Sequence, residues 1–218
     1  QLLKAGEGKR VVVKETRADT GYTLNEYDVY GDLRRTTIKN TASNIVTDYT
    51  YDKNHRVTRV DRPANESGVR ATDLYTYDSQ NHRISHITSP DAAANASNVF
   101  TGTGVRTYTD KTYFDALGRV TGTLSAAGLS TSTRYEAYLG EHHEVTYDHI
   151  YKTDENGYQS EQWFDAFGHL LWKTDLAGNK YFMQYNLAGK LNYQGWSEGP
   201  VSTDAKQSIK YTYFGDGS

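Results

Sequence analysis

Residues 49 to 60 read YTYDKNHRVTRV. Tyr49 and Tyr51 alternate with polar Thr50, a short polar break follows, and Val57 and Val60 take up the apolar pattern again. Alternation with a period of two belongs to a strand with one packed face. The pattern therefore predicts strand, turn, strand. YTYDSQNHRISHI, residues 75 to 87, repeats it. Tyr49 falls on Tyr75, Tyr51 on Tyr77 and Asp52 on Asp78. A one-residue gap then brings Asn54, His55, Arg56 and Val57 onto Asn81, His82, Arg83 and Ile84, and Pro63 onto Pro90. A gap at that place predicts a loop insertion, which a turn tolerates and a strand does not.

FDALGRV from Phe114 and FDAFGHL from Phe164 form a second pair without a gap, placing Asp115 on Asp165, Gly118 on Gly168, Ala127-Gly128 on Ala177-Gly178 and Tyr135 on Tyr185. YDVYGDL from Tyr27 and YNLAGKL from Tyr185 are looser copies, and Tyr147-Asp148 reads as a decayed one. The shared pattern is an aromatic, Asp or Asn, two free residues, Gly or a substitute, a polar residue, then Leu, Val or Ile. Asp or Asn opens a turn because its side chain accepts hydrogen bonds from backbone N–H groups just ahead. Gly three residues on supplies the left-handed conformation that a type I turn with a bulge needs. The predicted turn residues are Asp28 and Gly31, Asp52, Asp78, Asp115 and Gly118, Asp165 and Gly168, and Asn186 and Gly189. Asn54-His55 and Asn81-His82 lack the glycine, so a different turn geometry is expected there.

Copies begin near 27, 51, 77, 114, 164, 185 and 213 across a single β-region, residues 1–218. The expected class is all-β, built from repeated antiparallel hairpins. One hairpin alone is marginal, so stacked hairpins draw their stability from neighbours. SPDAAANASN, residues 89 to 98, predicts a helical turn or two, with Ser89 as N-cap and Pro90 at the first helical position. YTYFGDGS at the end opens another copy, and neither end reads as a polar cap, so the segment is expected to be part of a longer polypeptide. Open edge strands predict that the isolated segment oligomerises or aggregates.

Composition agrees. Nineteen of the 218 residues are Tyr, a residue that suits half-buried strands, and the apolar share of 36% is too low for a thick aliphatic core. Nineteen Gly against three Pro favour turns with positive φ. The 24 basic and 27 acidic residues are mixed along the chain, so nucleic acid is not an expected partner. No stretch approaches the roughly 18 apolar residues of a membrane helix, and there is no signal-peptide pattern. The absence of cysteine excludes disulfides and thiolate metal sites and leaves the redox compartment open.

YTYDKNHRVTRV, YFDALGRVTGT, WFDAFGHLLWKT and YNLAGKL resemble the YD repeat, also called the Rhs repeat, with copies from about residue 27 to the end and a poor match over 136–160. The resemblance implies a long antiparallel sheet spiralling into a hollow shell. In bacterial Rhs proteins and in the B and C components of insecticidal toxin complexes, such a shell encloses a toxic C-terminal polypeptide. In animal teneurins a similar shell is extracellular and adhesive. The lack of cysteine favours the bacterial branch. On this resemblance the segment is a structural, non-enzymatic piece of wall from a secreted protein. Its expected partners are the rest of its parent chain, an enclosed toxin segment and other toxin-complex subunits. The self-cleavage segment of such proteins has no counterpart in these residues.

Candidate chemistry is sparse. Gly195-Trp196-Ser197-Glu198-Gly199 matches G-x-S-x-G, but a nucleophile elbow needs a following helix and Pro200 comes next, so a turn is favoured. Glu141-His142-His143-Glu144, with Asp148 and His149, fits no metal-ligand spacing and reads as solvated strand. Asp154-Glu155-Asn156-Gly157 lacks the rest of a calcium loop and reads as a hairpin turn, as does Gly102-Thr103-Gly104. Asn65-Glu66-Ser67 and Asn95-Ala96-Ser97 are glycosylation sequons, relevant in a eukaryotic host. No cofactor is expected. Trp163, Trp172 and Trp196 are the best placed for stacking on sugars, which would make the chain a carbohydrate- or cell-surface-binding module. Cross-strand packing is the favoured role for them.

Overall fold

A computed structural model describes residues 2–4, 11–16, 21–39, 44–90, 92–139, 146–197 and 207–213. The described residues are all-β: they form antiparallel strands and turns, and no helix. Two compact units divide the chain, residues 1–112 with 125–127, and residues 113–124 with 128–218.

The first unit is a meander of β1 (Leu2–Lys4), β2 (Val11–Thr16), β3 (Tyr22–Tyr27), β4 (Leu33–Lys39), β5 (Asn44–Tyr51), β6 (Val57–Ala64), β7 (Arg70–Tyr77), β8 (Arg83–Ser89) and all of β9 (Tyr108–Phe114) but Tyr113 and Phe114. Each strand pairs antiparallel with the one before it. The second unit repeats the plan with β10 (Val120–Leu124), β11 (Ser130–Leu139), β12 (Thr146–Thr153), β13 (Gln159–Phe164), β14 (Leu170–Thr174), β15 (Lys180–Tyr185), β16 (Leu191–Ser197) and β17 (Gln207–Lys210).

Apolar burial is thin, and among the described residues only Leu74 and Ala94 are buried hydrophobics. Besides Gly122 and Gly195, the other buried positions among the described residues are polar: Thr37, Thr72, Asp73, Ser89, His149 and Ser197. Such groups are tolerated inside only when hydrogen-bonded. Asp73 is the clearest case. Both its oxygens meet Arg62, and His86 Nε2 lies 2.9 Å from Oδ1. Burial alone would raise the Asp73 pKa, but Arg62, His86 and Thr88 outweigh it and lower the value.

Three expectations are corrected. First, there is no insertion between the copies at 52 and 78. Tyr51 pairs with Val57 and Tyr77 with Arg83, so one offset holds throughout. His55 (φ 61°) and Asn81 (φ 72°) are the equivalent positions, both left-handed. The turn geometry is therefore the same as in the glycine copies, with a side chain accepting the strain. Second, the alanine-rich stretch is no helix. Asn95 accepts N–H bonds from Ser97 and Val99, and Asn98 is left-handed at φ 59°, so these residues make a turn. Arg59 fixes it from below, donating to Ala94 O, Asn95 O and Asn98 Oδ1. Ser89 belongs to β8 and is buried. A local side-chain capture thus overrides alanine's helix preference. Third, Tyr147-Asp148 lies within β12, paired with Tyr138 and Ala137, and not at a turn.

Candidate functional site

The recurring constellation is the hairpin tip. In every tip built on Asp or Asn, that residue's N–H donates to the carbonyl four residues on, and the N–H of the third residue on donates back to its carbonyl, as in Asp28 N to Asp32 O and Gly31 N to Asp28 O. The side-chain Oδ1 accepts N–H bonds from the second and fourth residues, as Asp165 does from Phe167 and His169, both at 2.9 Å. Asp28, Asp52, Asp78, Asp115, Asp165 and Asn186 all sit in this frame, with Gly31, Gly118, Gly168 and Gly189 at positive φ. Asp154 forms a further tip, as expected of its hairpin turn, and Asn65, Asn95 and Asp175 form three that the pattern missed, because no aromatic precedes them.

The second carboxylate oxygen has its own partner, the residue four positions on. Asp52 Oδ2 accepts from Arg56 Nε at 2.8 Å, Asp115 from Arg119 Nε at 2.8 Å, and Asp78 and Asp165 lie 2.9 Å from His82 and His169 Nδ1. Asp28 is served by Arg34 instead, two residues later. These contacts hold the carboxylates ionised. The Asp52 pKa is lowered chiefly by Arg56, against burial, with backbone N–H bonds from Arg56 and Asn54 helping. In Asp115 the backbone N–H of Arg119 is the largest cause.

The same bases cover the tyrosine of the next hairpin. Arg34 lies over Tyr51, Arg56 over Tyr77 (4.7 Å), Arg119 over Tyr135 (4.1 Å) and Lys190 over Tyr213, while His169 stacks on Tyr185 at 4.5 Å. Four of those tyrosines donate their hydroxyl backwards, to the carbonyl of the residue just past the preceding tip: Tyr51 to Leu33, Tyr77 to Val57, Tyr185 to Leu170 and Tyr213 to Leu191. At the tips at 28, 52, 165 and 186 the series reads tip carboxylate or amide, base, next tyrosine, preceding carbonyl. The chemistry of this chain of contacts is mechanical. It ties one hairpin to the next through side chains as well as through the strand ladder.

The three tryptophans do not converge. Trp163 pairs with Trp172 across β13 and β14 and stacks on it at 5.3 Å, and His149 stacks on Trp163 at 3.7 Å. His149 is 2% exposed and lies 3.1 Å from Glu161, so it is not the solvated residue expected. Trp196 belongs to the opposite face, since it pairs with Tyr181 while Trp172 pairs with Phe182. Its Nε1 donates to Gln207. Ser197 ends β16 and is fully buried. Asp154 to Gly157 is a hairpin tip of the common type. His142 and His143, and Glu198 to Pro200, lie outside the described residues. No cluster of three or more metal-ligating side chains occurs among the described residues.

No family model matches the chain, and no curated protein matches it in sequence. Solved structures do. The crystal structure of TcdB2-TccC3-Cdc42 superposes with a TM-score of 0.58 over 99% of this chain at 13% identity. TcdB2-TccC3 itself gives 0.58 over 95% at 13% identity. TcdB2-TccC3 without its hypervariable C-terminal region gives 0.57 over 95% at 12% identity. The chain spans 11% of the length of each of these. Its antiparallel meander of Asp-tipped hairpins is thus the fold of a stretch of the TcdB2-TccC3 toxin-complex chains, the fold that its YD-type repeats imply.

Proposed function

We propose that this chain is a length of wall in a YD-repeat shell that encloses a toxic C-terminal polypeptide of a secreted bacterial protein. It has no catalytic role in this reading. The observation that carries it is the recurrent side-chain linkage from a tip to the next tyrosine, which supplies hairpin-to-hairpin continuity in a sheet with little apolar core. The fold shared with TcdB2-TccC3 chains supports the same reading. A wall must be continuous, closed to proteases and stable without a second packed layer. Fixed tips and interlocked neighbours meet that requirement, because stability in repeat arrays comes from nearest-neighbour interfaces. The partners are the rest of the parent chain, the enclosed polypeptide and other toxin-complex subunits, in an extracellular setting.

Limited proteolysis of the parent protein tests this. The polypeptide downstream of the segment should resist protease in the native state and become sensitive when the β-region unfolds in denaturant. Free cleavage of the downstream part in the native state would overturn the enclosure.

A further inference from the structure

Among the described residues, three other than glycine have positive φ: His55, Asn81 and Asn98. A left-handed side chain costs conformational energy that glycine avoids, so each needs a compensating reason. In all three the side chain bonds to a different hairpin. His55 Nδ1 lies 2.8 Å from Asp32 Oδ2. Asn81 Oδ1 accepts from Arg56 Nη1 at 3.0 Å, and the same Nη1 donates to Asp78 O at 2.9 Å. Asn98 Oδ1 accepts from Arg59 Nη1 at 3.1 Å.

The first two contacts follow one rule. Asp32 stands four residues past the tip residue Asp28, and Arg56 stands four past Asp52. Each reaches the left-handed residue of the next tip on the same margin of the sheet: His55 in the tip 52–55 and Asn81 in the tip 78–81. The second unit has one such adjacent pair among the described residues, the tips 165–168 and 186–189. There His169 stands four past Asp165, and the left-handed residue is Gly189, at φ +74°. A Cβ on Gly189 would lie 3.1 Å from His169 Nε2, tighter than ordinary contact. The same two positions therefore face each other in all three cases. Their contents fit: an acid meets histidine, arginine meets asparagine, and histidine meets no side chain at all. The backbone bonds of these tips are alike, so they do not distinguish one neighbour from another. Exchanged partners would not fit. Arg56 facing His55 would put a second base in place of the acid. His169 facing Asn81 would meet a side chain where it now meets none.

We propose that the residue four past a tip and the left-handed residue of the next tip on this margin form a matched pair that selects which hairpins lie side by side. In an array of similar hairpins, misassembly between copies is the characteristic failure. Selection there needs misfits that cost as well as fits that hold. The strain at His55 and Asn81 is what the first unit accepts for that selection. The inference does not depend on the enclosure reading.

Exchanging the pairs between the two units tests this in the 218-residue chain, by urea unfolding followed by circular dichroism. Gly68 is also left-handed, at φ +77°, but a Cβ there meets nothing within 4 Å. Gly189→Asn should therefore destabilise more than Gly68→Asn. His169→Arg keeps a base four past the tip carboxylate, the arrangement that Arg56 already makes with Asp52. In the His169→Arg background, Gly189→Asn should cost about fivefold less in the unfolding equilibrium constant, the weight of one net hydrogen bond. The reverse exchange, Arg56→His with Asn81→Gly, should likewise be about fivefold more stable than the product of its two single effects. Additive effects in either exchange would overturn the proposal. So would equal losses from Gly189→Asn and Gly68→Asn, because backbone strain alone would then account for both.

Discussion

The hydroxyl of Tyr77 gives the linkage between hairpins a measurable weight. It donates to Val57 O at 2.8 Å, and Arg56 sits over the ring at 4.7 Å. Tyr77→Phe removes the hydrogen bond and leaves the ring, its packing and the cation–π contact. A net intramolecular hydrogen bond contributes about 1 kcal/mol, within a range of about 0.5–1.5. The variant should therefore lose about 1 kcal/mol, or roughly 2–4 °C in Tm for a chain of this size. Tyr75→Phe is the matched control. Its ring stacks on His86 of the neighbouring strand β8, and it lies outside the tip-to-tyrosine series. Urea unfolding followed by circular dichroism gives both differences at unchanged m-value. Tyr51 and Tyr185 make the same bond in other hairpins, so the triple Phe variant should lose about 3 kcal/mol if distant sites add. A Tyr77→Phe loss equal to that of Tyr75→Phe would refute the claim that the hydroxyls tie hairpins together.

Other outcomes follow from the same geometry. Gly31→Ala should cost about 1–2 kcal/mol in thermal or urea unfolding through backbone conformation alone, since φ is +89° and a Cβ there meets nothing within 4 Å. Gly122→Ala should cost more, because its Cβ would lie 2.8 Å from Thr131 O and the backbone must shift. Arg59→Ala should make the segment 92–107 the first site of proteolytic nicking, since it removes the donors to Ala94, Asn95 and Asn98. Stability should have an acid limit. Asp52 and Asp115 have pKa values lowered by folding, so their contribution is present above the ordinary carboxylate value of 3.8 and is lost as pH falls through the folded values. His55 acts oppositely. Its hydrogen bond to Asp32 raises its pKa, so its contribution is complete below 6.5 and is lost as pH rises through the folded value. Tm measured from pH 2.5 to 9 should therefore be highest between about 4 and 6.5, and a Tm that keeps rising below pH 3.5 would contradict these assignments.

Strand and tip were legible because their causes are local. Tyr-x-Tyr followed by Asp and a later Gly shows the alternation, the turn acceptor and the left-handed residue within a few positions. The linkage between hairpins was not legible in the same way. Arg56 is only a polar residue after a turn until Tyr77 is known to lie beneath it. Asn65 and Asn95 escaped because the turn needs only the side-chain oxygen of Asn or Asp and not a preceding aromatic, and alanine precedes both. The repeated Asn-His-Arg misled the alignment: matching its residues required a gap, whereas the equivalent left-handed positions are His55 and Asn81. The tryptophans read alike in sequence, yet strand parity sends Trp196 to the face opposite Trp163 and Trp172.

Electron cryo-microscopy of the intact parent protein would test the central claim most directly. The account predicts a closed shell in which these hairpins form part of the wall, linked tip to tyrosine, around a chamber that holds polypeptide. A solid particle, or an open sheet with nothing enclosed, would contradict it.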